Sequence, residues 1–209
     1  MRLIVIAKAP RPGFSKTRLS PPCTPEQAAA LAEAALRDTL AAVAAAPAEE
    51  RILALDGEPG AWLDGGGFGV IAQRGGGLEE RLAAAFDDAG GPALLVGMDT
   101  PQLTPPLLVE AWDALMAPAV DAVLGAAGDG GYWAIGLRKA DPRVFDSIPM
   151  SVDHTCRAQR ERLVELGLRH VELPELLDVD TIDDARLVAA QAPGSRFAAA
   201  LAAAGIEAR

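Results

Sequence analysis

Two groups of charged side chains carry the chemistry this chain can offer. Lys8, Arg11, Lys16 and Arg18 crowd into a short segment that follows the apolar run Leu3-Ile4-Val5-Ile6-Ala7. Asp99 closes a second apolar run, Leu94-Leu95-Val96-Gly97-Met98, and Asp178 and Asp180 stand two residues apart in Leu177-Asp178-Val179-Asp180-Thr181. Cations placed just past a buried strand lie in the ligand crevice of an α/β sheet, where they meet an anion. The chain has a formal net charge of -10, so this local reversal of sign points to a phosphate-bearing ligand rather than to a general affinity for polyanions. A hard divalent cation takes one or two carboxylates and completes its shell with water and phosphate oxygens. Together the two groups predict a triphosphate on the cations and its metal, Mg2+ or Mn2+, on Asp99, Asp178 and Asp180.

Each signal also has a plainer reading. The basic segment makes an ordinary surface turn with solvated heads, Asp99 caps the turn before Pro101, and Asp178 and Asp180 cap the helix that starts near Thr181. The run Gly13-Phe14-Ser15-Lys16-Thr17 is not a nucleotide-binding P-loop. The positions that must be glycine are Ser15 and Pro10, and Pro21-Pro22 interrupts the helix that should follow. Cys23 and Cys156 lack CxxC spacing and read as free thiols, and His154 and His170 stand apart from them and from each other.

The elements that must position these residues follow from patterning. At 209 residues, half of them apolar, the chain is long enough for one domain, 1–209, with a sizeable core. Only 4% of residues are aromatic and no extended basic face is present, which argues against a nucleic-acid partner. The first apolar run is too short for a signal peptide or a membrane span, so a cytoplasmic location with no membrane partner is expected. Thr24-Pro25-Glu26-Gln27 forms a capping box that launches a helix to about Ala46. Short aliphatic runs at 51–56, 68–73, 92–98, 121–126, 132–137 and 169–173 read as further strands. Helical patterns fall at 78–89, from Thr104-Pro105 to about Met116, and from Thr155 to about Leu166. The alternation predicts a three-layer α/β/α fold with a mostly parallel, mixed sheet, its antiparallel pair joined through Gly128-Asp129-Gly130-Gly131. The alanine-rich end, 196–204, is expected to be a helix that frays.

Ala7-Lys8-Ala9-Pro10 with Lys16-Thr17-Arg18-Leu19, Gly97-Met98-Asp99-Thr100-Pro101, Gly130-Gly131-Tyr132-Trp133-Ala134-Ile135-Gly136-Leu137 and Asp178-Val179-Asp180-Thr181 occur in this order along nearly the whole chain. This set resembles the bacterial CofC-like group of glycosyltransferase-A-type transferases, whose guanylyltransferase members join a nucleotide to a phosphorylated three-carbon acid. The resemblance implies a nucleotide-diphospho-sugar transferase fold, with Ala7, Lys8, Lys16 and Arg18 at the nucleotide and Asp99, Asp178 and Asp180 as metal ligands. By position it places Gln73, Gly75 and Arg81 at the base or its phosphates, and Gly130, Gly131, Ser151 and Thr155 at the acceptor. One segment departs from the pattern. Relatives carry proline-tryptophan-serine-threonine where this chain has Pro149-Met150-Ser151-Val152-Asp153-His154-Thr155.

Three functions are compatible with these readings. The leading one is nucleotidyl transfer from a nucleoside triphosphate to a small phosphorylated acceptor, with Lys16, Arg18 and Asp99 at the reacting centre and pyrophosphate released. A second is glycosyl transfer from a nucleotide sugar, with Asp129 or Asp153 as base. A third is nucleotide binding without turnover. Homodimerisation is left open by the sequence.

Overall fold

The computed structural model describes residues 1–63 and 65–206. Strand β1, Arg2–Lys8, alternates strictly. Leu3, Val5 and Ala7 enter one core and Ile4 enters the opposite one, the period-2 behaviour of a strand covered on both faces. Helix α1, Pro25–Ala45, follows a short 3-10 turn at Thr17–Leu19 and carries the expected capping box between Thr24 and Gln27. The remaining elements are β2 (Glu50–Asp56), β3 (Phe68–Ala72), α2 (Leu78–Ala89), β4 (Ala93–Val96), α3 (Pro105–Met116), β5 (Ala122–Ala127), β6 (Tyr132–Leu137), α4 (Thr155–Glu165), β7 (His170–Leu176), α5 (Ile182–Gln191) and α6 (Arg196–Ala203).

Among the described residues the strands form one sheet in the order β3-β2-β1-β4-β6-β5-β7. The pairs β1–β2, β1–β4, β2–β3 and β5–β7 are parallel, whereas β6 runs antiparallel to both neighbours, β4 and β5. The β5–β6 hairpin through 128–131 is therefore present, and the sheet is mixed and mostly parallel as expected. Connections leave β1 toward β2 on one side, while β4 lies on the other. The carboxyl ends of β1 and β4 thus flank a topological switch point, the place where open α/β sheets bind ligands.

Helices α1 and α3 cover one face, where Leu36, Val43, Leu108 and Leu115 pack on Leu53, Val96 and Val123. Helices α2 and α4 cover the other through Leu82, Phe86, Cys156 and Leu163 against Ile52, Leu95 and Ile135. A third cluster lies outside the sheet, where α1, α5 and α6 bury Leu31, Ala35, Val188, Phe197 and Leu201 together with Leu19 and Val179. Burial of large apolar side chains on a short helix outweighs end fraying. The chain's last described helix is accordingly docked rather than loose, with its first amides, Arg196 N and Phe197 N, donating to Asp38 at 3.1 and 2.9 Å.

Two strand boundaries differ from expectation by more than one residue. Strand β4 stops at Val96 because the chain, after Gly97 N donates to Trp133 O at 3.0 Å, turns out toward β1. Strand β7 continues to Leu176, past Pro174. It is an edge strand, so a proline that cannot donate is tolerated there and its mostly exposed residues lack the apolar pattern that marks inner strands.

Candidate functional site

The carboxyl ends of β1 and β4 are joined directly. Lys8 N donates to Met98 Sδ at 3.2 Å, which sets the start of the basic loop beside the segment that carries Asp99. The loop then turns on itself: Arg11 N donates to Ser15 Oγ at 2.9 Å, and Leu19 N donates to Lys16 O at 2.9 Å. Lys16 itself has left-handed backbone, φ 49° and ψ 42°, a conformation rare outside glycine and asparagine. From there its side chain runs inward and is only 11% exposed. Its Nζ lies 2.9 Å from Asp99 Oδ1 and donates to the Val179 carbonyl. Val179 N in turn donates to Asp99 O at 3.1 Å, so the segments bearing Asp99 and Asp178–Asp180 are held backbone to backbone.

Arg18 pairs with Asp180 at the surface. Arg11 stacks its guanidinium over the exposed Phe14 ring, 5.3 Å from the centroid. Asp129, at the turn between β5 and β6, accepts from Gly131 N at 2.7 Å, and its charge bears on Asp178. Burial and Asp129 push the Asp178 carboxyl up to about 6, Asp99 adds to the rise, and Lys16 pulls against it. Asp178 Oδ1 and Asp99 Oδ1 are both buried without a directed hydrogen bond, the Lys16–Asp99 contact being an ion pair off hydrogen-bond geometry. Buried carboxylate oxygens left this way are costly, and a divalent cation is the partner their chemistry suits. Among the described residues no three His, Cys, Asp or Glu side chains group closely enough to hold a metal by themselves. The arrangement therefore fits a magnesium-type site, in which one or two carboxylates bind and water and substrate oxygens complete the shell.

Two cavities open on these groups. One, about 340 Å³, is largely apolar, with Ile6, Leu78, Leu82, Leu95, Tyr132 and Met150 in its wall. The other, about 620 Å³, is lined by the basic loop. Lys8, Met98, Asp99, Asp129, Ser151, Val152 and Asp178 border both.

The expected site residues divide accordingly. Ala7, Lys8, Gln73, Asp99, Gly131, Ser151, Thr155 and Asp178 line the apolar cavity, and Lys8, Lys16, Arg18, Asp99, Ser151, Asp178 and Asp180 line the polar one. Gly75, Arg81 and Gly130 line neither. Gly75, at φ 115°, has no room for a Cβ, which would collide with Glu80, the residue whose carboxylate accepts from Gly76 N at 2.6 Å, and Arg81 pairs with Asp56 at 2.9 Å. Gln73 reaches the cavity, but both amide hydrogens are committed, to Ala7 O at 2.7 Å and Ala54 O at 2.9 Å. Gly130, at φ 90°, lies so close to the Asp153 carbonyl that a Cβ there would collide with it. Thr155 is buried, and its Oγ1 lies 2.7 Å from Pro149 O and 2.9 Å from Val152 O while accepting from Val152 N.

The sequence offers Asp129 only as one of two candidate bases for glycosyl transfer, and the structure sets it near Asp178; Phe14 and Val152 line the cavities without having been singled out. For Asp129 the available signal was a carboxylate flanked by glycines at a strand end. At the rim, Asp153 Oδ1 lies 2.9 Å from His154 Nδ1, and this contact holds the Asp153 carboxyl below the usual range.

Residues 39–152 match the family described as "Uncharacterized protein conserved in bacteria (DUF2064)". No curated protein matches the sequence. Among solved structures, a protein of Desulfovibrio desulfuricans G20, provisionally assigned as a nucleotide-diphospho-sugar transferase, is 29% identical with a TM-score of 0.85, over 97% of this chain and 95% of that one. Two others share the fold at lower identity. CMP:2-keto-3-deoxy-manno-octonic acid synthetase, solved with CTP, gives a TM-score of 0.56 at 12% identity, over 86% and 92%. The 2-C-methyl-D-erythritol 4-phosphate cytidylyltransferase of Thermus thermophilus gives 0.53 at 17%, over 99% and 100%.

Proposed function

The chain belongs to this bacterial family, DUF2064, and on that premise we propose that it is a nucleotidyltransferase joining a nucleoside triphosphate to a small phosphorylated acceptor. The observation that carries the reading is the meeting of a basic loop with Asp99, Asp129 and Asp178 where an apolar and a polar cavity share one border. An apolar cavity of about 340 Å³ suits a base and its ribose. The larger polar one suits phosphates and an anionic acceptor. Structural neighbours that include cytidylyltransferases support the same class, and the CofC-like resemblance narrows it to transfer onto a phosphorylated acid.

In this reading the acceptor phosphate oxygen attacks the α-phosphorus in line, the bond to the β-phosphate oxygen breaks, and pyrophosphate leaves. The attacking oxygen is already ionised, so positioning and charge neutralisation carry the rate. Arg11, Lys16 and Arg18 bind the triphosphate, and Lys8 stands between the two cavities. Asp99 and Asp178 would hold the divalent cation, with Asp180 steering Arg18. The cation, when bound, supplies neutralisation of the charge that develops on the departing pyrophosphate. Gln73 and Arg81 support the wall of the base cavity by holding the ends of β1 and β2, and Thr155 shapes the acceptor loop rather than touching the acceptor.

Product analysis tests this: purified protein with Mg2+, each nucleoside triphosphate and a panel of phosphorylated acids and sugars should release pyrophosphate and form a nucleotide conjugate. A second reading, glycosyl transfer, is favoured by the assignment of the Desulfovibrio protein and by Asp129, a carboxylate within the shared border that suits a base. It predicts a nucleoside diphosphate, released only from a nucleotide sugar in the presence of acceptor, and that outcome would overturn nucleotidyl transfer.

A further inference from the structure

We propose that the Lys16 ammonium occupies the place of the divalent cation until a nucleotide draws it onto phosphate, so that metal enters with the nucleotide and not before it. The inference rests on the nucleotide reading above and adds an order of binding to it. The ammonium sits among hard oxygens of the kind a divalent cation would take. It is 2.9 Å from Asp99 Oδ1, it donates to the Val179 carbonyl, and Asp178 lies within its field.

Lys16 does not reach this place as a mobile surface side chain. It is nearly buried, and its left-handed backbone is fixed by Leu19 N donating to its carbonyl, with Leu19 itself fully buried in the third hydrophobic cluster. The other cations of the loop are disposed differently: Arg11 lies over exposed Phe14, and Arg18 is 68% exposed against Asp180. Those two are open to phosphate as they stand, whereas Lys16 is engaged inside the acidic cluster.

A single positive charge leaves Asp99 and Asp178 under-neutralised, with the charge of Asp129 bearing on Asp178 as well, so a dication is the better partner for the pair. A free dication must nevertheless displace an ammonium that has nowhere equally good to go. A metal-bound triphosphate removes that obstacle, because its phosphate oxygens offer the ammonium a new partner as the metal takes the old ones.

The test is a Mn2+ titration of the full chain without nucleotide, read by the electron paramagnetic resonance of free Mn2+, on wild type, Lys16→Met and Arg18→Met. Lys16→Met should bind Mn2+ about tenfold more tightly than wild type, and Arg18→Met by less than about threefold, since it removes the same charge from outside the cluster. Equal affinity in wild type and Lys16→Met, or equal gains in the two variants, would overturn the proposal. Circular dichroism accompanies each titration. A Lys16→Met protein that folds only when Mn2+ is added supports exchange of one cation for the other, and one that stays unfolded at saturating Mn2+ refutes it. Calorimetry of wild type with a non-hydrolysable triphosphate, done separately, decides the nucleotide reading. Nucleotide binding without the Mn2+ gain sinks only the exchange, whereas a Mn2+ gain without nucleotide binding leaves Lys16 in the cation's place but overturns both the nucleotide reading and the order of binding built on it.

Discussion

Burial and the neighbouring Asp129 both oppose the charge on Asp178, whose carboxyl is pushed up to about 6 from an ordinary 3.8. A proton held more tightly in the folded chain than in the unfolded one favours folding at low pH. That contribution fades as pH climbs between these two values and is absent above them. Asp178→Asn should therefore unfold at higher denaturant than wild type at pH 8 without divalent cation, by about 1 to 3 kcal/mol, and match it near pH 4. Adding Mg2+ should narrow the gap at pH 8, because the cation stabilises only the carboxylate. At Gly130 the constraint is steric instead. A Cβ at φ 90° would press on the Asp153 carbonyl, so Gly130→Ala should cost about 2 kcal/mol or more in thermal unfolding and raise KM for the acceptor before that for the nucleotide. Asp99 and Asp178 could be singled out from the sequence because each follows an apolar run, although a capping role reads the same way, and the structure brings the two to one cavity border. The bonding commitments of Gln73 and Arg81 were not legible, because each is made to backbone or side chains of another segment that no local spacing records, and Thr155 spends its hydroxyl within its own loop, where sequence does not show the turn that brings Pro149 O to it.

Elements rather than single contacts decide how the acceptor side is shaped. The segment from Pro149 to Thr155 is tied into a closed loop by Thr155 Oγ1 and fastened to the β5–β6 turn by Cys156 N donating to Gly130 O at 2.8 Å. Thr155→Val keeps the volume and removes the hydroxyl. It should destabilise by about 1 to 2 kcal/mol and weaken acceptor use through KM, with nucleotide affinity by calorimetry unchanged. In the proposed reading Thr155 thus serves the acceptor through the loop it closes. Elsewhere Arg138 donates to the carbonyls of Leu115, Ala117 and Val120, closing the end of α3 onto the sheet. Most of the strands that were legible are inner ones, with both faces covered, and the edge strand β3 was legible as well because its short apolar run is bounded by glycines on one side and Gln73-Arg74 on the other. The sequence pattern of strand β7 ends at Leu173, short of its true end, because an edge strand shows its charges and Pro174 to solvent. Asp129 joined Asp178 for a related reason: β5 and β7 are parallel neighbours, a pairing set by topology across an intervening helix and not by sequence distance.

Across the whole molecule, the two charged halves of the site are held in register by a core that contains neither. Leu19, just past the basic loop, and Val179, between the two aspartates, are buried in the same cluster as Phe197 and Leu201 of α6. Truncating Phe197 to alanine should cost about 3 to 5 kcal/mol in denaturant unfolding. It should also lower triphosphate affinity in calorimetry although the side chain lies outside both cavities, and full affinity in a folded Phe197→Ala protein would show that the clamp is dispensable. The same arrangement has a temporal side. During synthesis Lys16 leaves the ribosome early and Asp178 late, and Phe197 emerges after both. A nascent chain therefore holds every charged group of the site before it holds Phe197 and Leu201, among the last side chains of the cluster that clamps them, and under the proposed function ligand capture waits until α6 has docked.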